Sequence, residues 1–499
     1  MAAGEIMEIE LKYDVDPTLP APDFTEMTAV AGVTEPAVEN LDAIYYDTEN
    51  LDLAANKITL RRRSGGHDAG WHLKRPGRGA GRRELQVPLN AARDEGSGGV
   101  IHVPDVLLEQ IRVHSRGRAL RPIGAISTHR ELSELHGDDG QILAIFCNDT
   151  VTAQSLLPDG HAQAWTEWEI ELVDGDEKLL RKADKFLRSA GAQTAGSASK
   201  LARTIGPTPI RGVPALGSEP TAIDLVTTAI AEHLRHLIEQ DPRVRAHEDD
   251  AVHQMRVATR RIRSVIAAYP TVLSGPRTDA VADELKLLAA ILGNARDAEV
   301  QAERGEQLLA GENASAAITS VLVEDQRHRE RLAINRVLTS LDNPRYFELL
   351  DEIERLVIDP ERGPDADRKA RSALRDAVDE CDRDLRKANK RLQSIGASEK
   401  VERQAQLHRI RKQAKQLRYS ADPGSLLRPP VKAATARRAK AIQERLGDYN
   451  DAAISRGLIS HAAADPRITA ADAFMLGRLD AKEEAAMAKS LRRYRSLMR

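Results

Sequence analysis

Two groups of cationic side chains recur at one spacing that could bind an extended anion. In each group a histidine is followed by cations 3, 7 and 10 residues later, and on an α-helix these offsets fall within an arc of roughly 80°. The first stripe is His253, Arg256, Arg260 and Arg263, and the second stripe is His408, Arg411, Lys415 and Arg418. Each stripe therefore predicts a helix with one crowded cationic face.

A second motif repeats at nearly the same distance. LGNARDA, residues 292–298, is answered by LGDYNDA, residues 446–452, and Lys286 is matched by Lys440. Repetition at a fixed period indicates internal duplication. Ordinary solvated helix faces also carry charge, but they have no need to repeat a histidine and three cations in order. We therefore interpret both copies as an anion-binding surface that includes the two lysines.

Alternating carboxylates in the first part of the chain could hold a metal ion. Residues i, i+2 and i+4 of a β-strand lie on one face, about 7 Å apart. One such ladder is Glu8, Glu10 and Lys12, and the other is Glu167, Glu169 and Glu171. An exposed strand often carries such an alternation, but two ladders in one domain favour a shared site.

Cations at the same two-residue spacing occupy other predicted strands. They are Arg61 with Arg63, His72 with Lys74, and Arg82 beside Glu84. In a closed sheet the inward positions would line a tunnel, where bare carboxylates repel one another unless a cation joins them. Oxygen ligands without nearby cysteine favour Mg²⁺ or Mn²⁺ over zinc. A metal beside arginine and lysine suits a linear chain of phosphate groups.

The elements that position these residues differ between two parts of the chain. To about residue 205, short apolar runs alternate with period two, which predicts a mostly antiparallel β domain with a helix near 178–190. Residues 206–220 hold four prolines and three glycines and predict a linker. From 221 to 499 the apolar repeat is about 3.6 residues, which predicts an all-helical domain duplicated at about 221–360 and 361–499.

The composition limits the class of protein. The 499 residues have a formal net charge of −3, so anion binding must come from local clusters. The N-terminus lacks the apolar segment of a signal peptide, and no run approaches ~18 apolar residues. We therefore expect a cytoplasmic protein without a membrane partner. The two cysteines are far apart and support neither a disulfide framework nor a zinc site.

The spacing Glu8-x-Glu10-x-Lys12 resembles the ExExK signature of the CYTH superfamily, the triphosphate tunnel metalloenzymes. Further elements follow in that family's order over about residues 5 to 205: LRRR, WHLKRP, RRELQV, FCND, EWEIEL and ASKLAR. The resemblance implies an α+β multidomain protein that begins with an eight-stranded antiparallel β tunnel barrel. It also implies hydrolysis of inorganic triphosphate with a divalent cofactor, Mg²⁺ or Mn²⁺.

The same resemblance implies roles for two sets of side chains. The implied metal ligands are Glu8, Glu10, Asp149, Glu167, Glu169 and Glu171. The implied catalytic residues, which bind phosphoryl oxygens, are Lys12, Arg61, Arg63, Lys74, Arg82, Arg130 and Lys200. Thr128 departs from the family, whose members often have a second cation at this position, and this departure implies one phosphate contact fewer.

The segments VHQMRVATRRIRS and LHRIRKQAKQLRY closely resemble the CHAD domain, over about residues 221 to 499. The resemblance implies two related four-helix bundles that bind inorganic polyphosphate. The implied phosphate contacts are the eight stripe residues with Lys286 and Lys440, and Tyr419 could donate one hydrogen bond. The two histidines could instead be buried, neutral packing residues. If they contact phosphate, their protonation strengthens binding as the pH falls toward ~6.

These patterns predict a cytoplasmic, metal-dependent inorganic triphosphatase with a polyphosphate-binding domain, associated with polyphosphate granules. One alternative is a polyphosphate-binding scaffold whose tunnel does not turn over substrate. A CYTH-type adenylate cyclase is a further alternative, although no nucleobase pocket is identifiable in the sequence. Nucleic-acid binding by the helical domain is disfavoured because stacking aromatics are sparse and no base-reading motif is evident.

Overall fold

The computed structural model describes residues 5–77, 81–89, 102–396 and 398–498, and its contacts divide the chain into two compact units. Unit 1 spans Met1–Arg211 and unit 2 spans Gly212–Arg499, so the boundary lies within the predicted linker. The backbone N–H of Arg211 donates to the Ala55 carbonyl oxygen at 2.8 Å. Its guanidinium donates to the buried Asp52 at 2.6 Å. The start of the predicted linker therefore packs on unit 1.

Unit 1 is built on long antiparallel strands. In chain order the strands are β1 (Glu5–Glu8), β2 (Glu10–Val15), β3 (Gly32–Val33), β4 (Ala37–Asp47), β5 (Thr59–Ser64), β6 (Gly70–Pro76), β7 (Arg82–Pro88), β8 (Arg121–His136), β9 (Ile142–Ser155), β10 (Ala162–Leu172) and β11 (Gln193–Thr194). The α-helices in the described part of unit 1 are α1 (Asp52–Ala55), α2 (Asp105–Ser115), α3 (Glu177–Ser189) and α4 (Lys200–Ile205). The predicted helix near 178–190 is confirmed as α3, whereas β4, β8 and α2 lie outside the predicted runs.

The sheet of unit 1 curls round until it meets its own first strand. Its hydrogen-bonded order is β1, β7, β6, β5, β4, β8, β9, β10, β2, with β11 beyond β2 and β3 attached to β8. β1 pairs with β7 and β2 pairs with β10, and only Ile9 separates β1 from β2. Counted as one bent strand, β1 and β2 complete eight long strands around a tunnel. The predicted tunnel barrel is therefore confirmed.

Along each strand, successive side chains point alternately into the tunnel and toward hydrophobic cores on the outer face of the barrel. On β10, Trp168 and Ile170 are fully buried on the outer face and pack with Leu187 of α3. On β6, Trp71 is buried on the outer face in a cluster that includes Leu107 of α2. Since successive strand residues face opposite sides, the glutamates of β10 and, on β6, His72 and Lys74 point into the tunnel.

Unit 2 is helical throughout its ordered elements. In chain order the α-helices of its described residues are α5 (Ala222–Arg245), α6 (Ala251–Ala268), α7 (Pro276–Leu309), α8 (Ala316–Thr319), α9 (Asp325–Leu341), α10 (Pro344–Ile358), α11 (Ala370–Ser394), α12 (Lys400–Ser420), α13 (Ala433–Ala463) and α14 (Ala470–Leu497). None of the helices in the described ranges has the length and apolar character needed to cross a bilayer.

The helices of unit 2 follow the duplication in the sequence. The two stripes lie on α6 and α12. The repeated segments LGNARDA and LGDYNDA, which we call the two LG motifs, lie on α7 and α13. The four helices α5, α6, α7 and α9 correspond to α11, α12, α13 and α14, which confirms the two related four-helix bundles. The first half has α10 in addition, and this helix packs on α5.

Candidate functional sites

The register of neighbouring strands brings the two acidic ladders side by side. In the β10–β2 pair, Glu171 lies opposite Glu10 and Glu169 lies opposite Lys12. On the other side of β10, the adjacent strand β9 contributes Asp149. Backbone pairing therefore gathers carboxylates from three strands on one side of the tunnel.

The ammonium group of Lys200, at the start of α4, lies among three of these carboxylates. Its Nζ is 2.8 Å from Asp149, 2.7 Å from Glu167 and 2.8 Å from Glu169. The carboxylate oxygens lie within 4.8 Å of one another, and all three residues are buried. The Ser199 side chain caps the N-terminus of α4, so Lys200 is the first residue of this helix. One ammonium thus stands at the centre of the acidic triad Asp149, Glu167 and Glu169.

Further cations hold the same triad from β8 and β2. Nε and Nη2 of Arg130 donate to the two oxygens of Asp149 at 2.8 and 2.7 Å, and Nη2 also donates to Glu169 at 2.6 Å. Lys12 donates to Glu169 and, at 2.8 Å, to Glu10. Although burial acts in the opposite direction, the surrounding cations hold the pKa of Glu169 well below its usual value. The pKa of Asp149 is lowered by the same cations against the effect of burial, whereas burial raises the pKa of Glu167.

A second wall, formed by β5, β6 and β7, pairs cations with Glu8 and Glu84. Nζ of Lys74 donates to both oxygens of Glu8, at 2.6 and 2.7 Å. Glu84 lies 3.9 Å from Arg61 and 3.9 Å from Lys74, and a hydrogen bond of 2.8 Å joins it to Nδ1 of His72. Although burial raises the pKa of Glu84, this hydrogen bond and the two cations lower it to about 2.

Glu171 has a different environment from the other tunnel carboxylates. Burial, followed by the charges of Glu8, Glu10 and Glu169, raises its pKa to about 7. No ion pair to Glu171 occurs among the residues that the structure describes. A half-buried carboxyl group beside other carboxylates fits a site for a hard divalent cation, because such ions take oxygen ligands and offset clustered negative charge. The donor set of the tunnel thus fits a divalent metal ion.

Two of the implied phosphate-binding arginines make contacts away from the triad. Arg63 forms an ion pair with Asp68, and burial together with Arg61 and Arg130 lowers its pKa to about 10. Arg82 is half-buried and donates to the backbone carbonyl of Lys57 at 3.0 Å. Arg63 therefore belongs to the cationic interior, whereas the guanidinium of Arg82 lies at the edge of the barrel.

Two aromatic residues of the tunnel were not among the predicted site residues. The Tyr45 hydroxyl accepts a hydrogen bond from Arg61 at 3.3 Å, and Nε1 of Trp165 donates to Glu167 at 2.5 Å. Trp165 precedes Glu167 by two residues, so strand alternation alone could have found it. Tyr45 lies in β4, and its position follows only from the pairing of β4 with β5.

In unit 2 the two stripes meet around Tyr419. Nε of Arg260, from the first stripe, donates to the Tyr419 hydroxyl at 2.9 Å. The guanidinium groups of Arg260 and Arg418 each lie 5.3 Å from the centre of the Tyr419 ring, a distance at which cations and aromatic faces attract. The tyrosine therefore holds one arginine from each stripe.

Lys415 lies where both stripes contribute positive charge. Burial, followed by the charges of Arg411, Arg260 and Arg256, lowers its pKa to about 7. Arg263, at the end of the first stripe, is half-buried on the same helix as Arg256 and Arg260. We call Arg256, Arg260, Arg411, Lys415 and Arg418 the cationic cluster. It assembles from helices whose sequences are separated by more than a hundred residues.

Each LG motif supplies a glycine against an arginine of the neighbouring stripe. A Cβ atom at Gly293 would lie 3.6 Å from Nη2 of Arg256, and one at Gly447 would lie 3.8 Å from Nε of Arg411. Arg256 also pairs with Asp297 at 3.0 Å. Gly293 and Gly447 therefore lie against equivalent arginines in the two copies.

The remaining predicted contacts lie around the cationic cluster. His253 is half-buried and His408 is exposed, and partial burial of each ring together with nearby cations lowers the pKa of both histidines. The neutral form of both imidazole rings is therefore favoured. Lys286 and Lys440 are exposed, and Lys440 lies 3.7 Å from Glu444.

Comparisons with known proteins agree with this division of the chain. A CYTH domain model matches residues 7–205, and a CHAD domain model matches residues 228–460. An uncharacterized protein of Mycobacterium tuberculosis is 39% identical over 508 residues, which cover 97% of this chain and 94% of the relative. The chain is a CYTH-CHAD protein. Unit 1 is its CYTH domain and unit 2 contains its CHAD domain.

Solved structures resemble parts of this CYTH-CHAD protein. A CHAD domain from the plant Ricinus communis is 24% identical, with a TM-score of 0.46, and covers 59% of this chain and 97% of its own. PptA from Streptomyces chartreusis is 17% identical, with a TM-score of 0.47, and covers 56% and 99%. A putative adenylyl cyclase from Hippeastrum, described as having a dominant triphosphatase activity, is 18% identical, with a TM-score of 0.24, and covers 39% and 93%.

Proposed function

We propose that the CYTH domain hydrolyses inorganic triphosphate with a divalent metal and that the CHAD domain binds inorganic polyphosphate. The observation that carries the first part is the convergence of Lys74, Arg61 and Arg130 on one enclosed space that also holds the two acidic ladders. A linear phosphate chain is the ligand whose charge and shape match such a space. Both domains would then bind linear chains of phosphate groups.

The pairing of charges in the tunnel supports joint binding of metal and substrate. Lys74 is paired with Glu8, and Lys200 with the acidic triad. When these cations turn to phosphoryl oxygens, the carboxylates lose their neutralising partners, and buried carboxylates without a cation are costly. A divalent ion held among the triad, Glu8, Glu10 and Glu171 would offset part of their negative charge and would polarise the phosphoryl oxygens.

The residues of the tunnel act by binding and positioning. Arg61 and Arg130 can hold phosphoryl oxygens through two N–H groups each, and Lys12 and Lys74 supply compact charges that stabilise the leaving phosphate. Burial raises the pKa of Cys147 to about 12, so this thiol is protonated at pH 7 and is not a nucleophile. Direct attack by water, with the chain held in line by the walls, accounts for the residues present.

Replacing Lys200 by methionine is expected to lower the free energy of unfolding by about 2 kcal/mol, because the buried acidic triad loses its central ammonium. Mg²⁺ or Mn²⁺ should then raise the melting temperature of the variant more than that of the wild type, since the ion takes the place of the ammonium. Circular dichroism during heating, with and without each metal, measures both effects. Lys185→Met, at an exposed position on α3, is the control. An equal response to metal in Lys200→Met and wild type would contradict the proposed metal position.

The CHAD proposal is supported by the cationic cluster. Its five cations come from two helices and lie together. Among the described residues, the ion pair between Arg256 and Asp297 is the one salt bridge that a cation of the cluster makes. Arginine and lysine side chains grouped in this way bind phosphoryl oxygens, so a chain of phosphate groups suits the cluster. A polymer held there would raise the local concentration of phosphate chains near the CYTH domain, because the two domains are joined in one chain.

Polyphosphate affinity is expected to fall as the pH rises through the pKa of Lys415. The groups that face this lysine are Arg411 on its own helix, Arg256 and Arg260 from α6, and Asp297 from α7. Below pH 7 the lysine is charged and binds fully, and above it the fraction of charged lysine falls, so affinity should drop about tenfold from about pH 7 to about pH 8.5. Titrations with long polyphosphate across this range measure the effect. Lys415→Arg should bind with little pH dependence, and an unchanged slope in that variant would rule out Lys415 as the source.

Phosphate release from a panel of substrates tests the proposed function. The panel is tripolyphosphate, long polyphosphate, ATP and thiamine triphosphate, each with Mg²⁺, with Mn²⁺ and with a chelator. We expect release from tripolyphosphate that requires metal. Binding of tripolyphosphate without release would favour the scaffold, and formation of cyclic AMP from ATP would favour the cyclase.

A further inference from the structure

A cavity of about 390 Å³ opens beside the second stripe, between α12 and α13. Its walls are of mixed chemistry. Val401 and Leu446 supply apolar surface, Tyr449 supplies an aromatic ring, and Gln404 and Asn450 supply side-chain amides. Its volume lies within the range of sites that hold small organic ligands. A phosphate chain alone has no use for the apolar and aromatic part of this wall.

The basic end of the cavity leads into the cationic cluster. His408 and Arg411 line it, and Arg411 is one of the cations that face Lys415. Nε of Arg411 is buried without a hydrogen-bond partner in the described part of the chain, and a buried donor without an acceptor is costly. A phosphate group at this end would supply the acceptor.

Two side-chain amides of the cavity wall, those of Gln404 and Asn450, offer donors and acceptors for a planar ring. Asn450 lies next to the side chains of His408 and Asp451. The Gln404 side chain makes no hydrogen bond within the described ranges. Asparagine and glutamine amides match the N6 and N7 edge of adenine, which offers one donor and one acceptor side by side. Tyr449 supplies a surface on which such a base can stack.

The first copy of the duplication lacks these features. Tyr449 and Asn450 correspond to Ala295 and Arg296 in the first LG motif, and Arg296 is engaged in an ion pair of 2.5 Å with Glu299. The position of Gln404 is taken by an aspartate in the first copy. The phosphate-facing arginine is therefore common to both copies, whereas the aromatic and amide groups belong to the second copy alone.

We propose that this cavity binds an adenine nucleotide, with the base between Tyr449 and the two amides and the phosphates on Arg411 and the cationic cluster. The phosphate end of the site rests on the proposed polyphosphate-binding function. The part of the site that binds the base does not depend on polyphosphate binding, because Gln404, Tyr449 and Asn450 lie outside the stripes. The CHAD domain then distinguishes an adenine-headed phosphate chain from a bare one.

Photolabelling of the full-length protein with 8-azido-ATP in the presence of a chelator tests the proposal. Peptide mapping separates label in this cavity from label in the tunnel. We expect label on peptides from α12 and α13, displaced by ATP at a concentration about tenfold lower than by tripolyphosphate. Tyr449→Ala should remove most of this label and abolish the difference between ATP and tripolyphosphate. Tyr449→Phe keeps the ring and should retain both.

Label confined to CYTH-domain peptides, or equal displacement by ATP and tripolyphosphate, would overturn the nucleotide site. Equal labelling of the cavity by 8-azido-GTP would overturn the assignment of adenine. Binding of long polyphosphate is measured on the same samples. If polyphosphate binds and depends on Arg411 but the cavity is not labelled, the nucleotide inference fails and the proposed function stands. If polyphosphate does not bind, the proposed function of the CHAD domain fails, whatever the labelling shows.

Discussion

Tripolyphosphate hydrolysis is expected to fall about a thousandfold when Glu8 and Glu10 are both replaced by alanine. The two substitutions remove carboxylates from the proposed metal site, and metal stabilisation of a phosphoryl transition state contributes several kcal/mol, with about 1.4 kcal/mol for each tenfold in rate. The loss of Glu8 also frees Lys74 from its ion pair, so phosphate binding should persist. Phosphate release at saturating tripolyphosphate with Mg²⁺ or Mn²⁺ measures the change.

A matched control removes two carboxylates from outside the tunnel. Asp138 and Asp139 are exposed in the turn between β8 and β9, and Asp138→Ala, Asp139→Ala should hydrolyse tripolyphosphate at the wild-type rate. Equal rates in the wild type and the Glu8→Ala, Glu10→Ala variant would favour a tunnel that binds phosphate chains without turning them over.

Affinity for long polyphosphate is expected to fall about a hundredfold when Arg256 and Arg411 are both replaced by alanine. They occupy the same position in the two stripes, each against a glycine of an LG motif. A hydrogen bond to a charged group contributes about 1.5 to 3 kcal/mol, so two lost contacts account for the expected change. Fewer counterions should also be released, and the slope of log affinity against log salt should become shallower by about 2.

Lys489→Ala provides the comparison for the double arginine variant. Lys489 is exposed on α14 and belongs to neither stripe, so its removal should change affinity little. Polyphosphate binding that falls as much in Lys489→Ala as in the double variant would place the binding surface elsewhere. Duplex DNA at the same salt concentration serves as competitor, and equal competition would contradict a preference for polyphosphate.

Much of the fold could be predicted because alternation and helical periodicity are local. The charged ladders of β2 and β10, the basic pairs of β5 and β6, and the stripes of α6 and α12 follow from spacing alone. β4 and β8 were missed for a physical reason: β8 contains Pro122 and Gly124, and both strands mix polar residues into their outer faces, so their strand character depends on pairing with neighbours. Tertiary hydrogen bonds outweigh local propensity there.

The candidate sites were predictable as sets of residue types but not as partners. Spacing indicated that Glu167 and Glu169 share a face, but only the structure places Lys200 between them and Asp149. The environment of Glu171 also depends on the closure of the barrel, which brings Glu8 close to it. In the CHAD domain the spacing of the stripes predicted two cationic helix faces. That Lys415 and Arg260 lie together depends on how the two bundles pack.

Lys415 and Arg260 occupy equivalent positions in the two copies of the duplicated sequence, and they face each other. Contacts of this kind are the mark of a twofold axis, on which a residue meets its symmetry mate. An ancestor with a single copy would have assembled this anion site as a homodimer, with half of it on each subunit. Two copies joined in one chain can differ from each other, which identical subunits cannot do. The tyrosine and asparagine of the second LG motif record that broken symmetry.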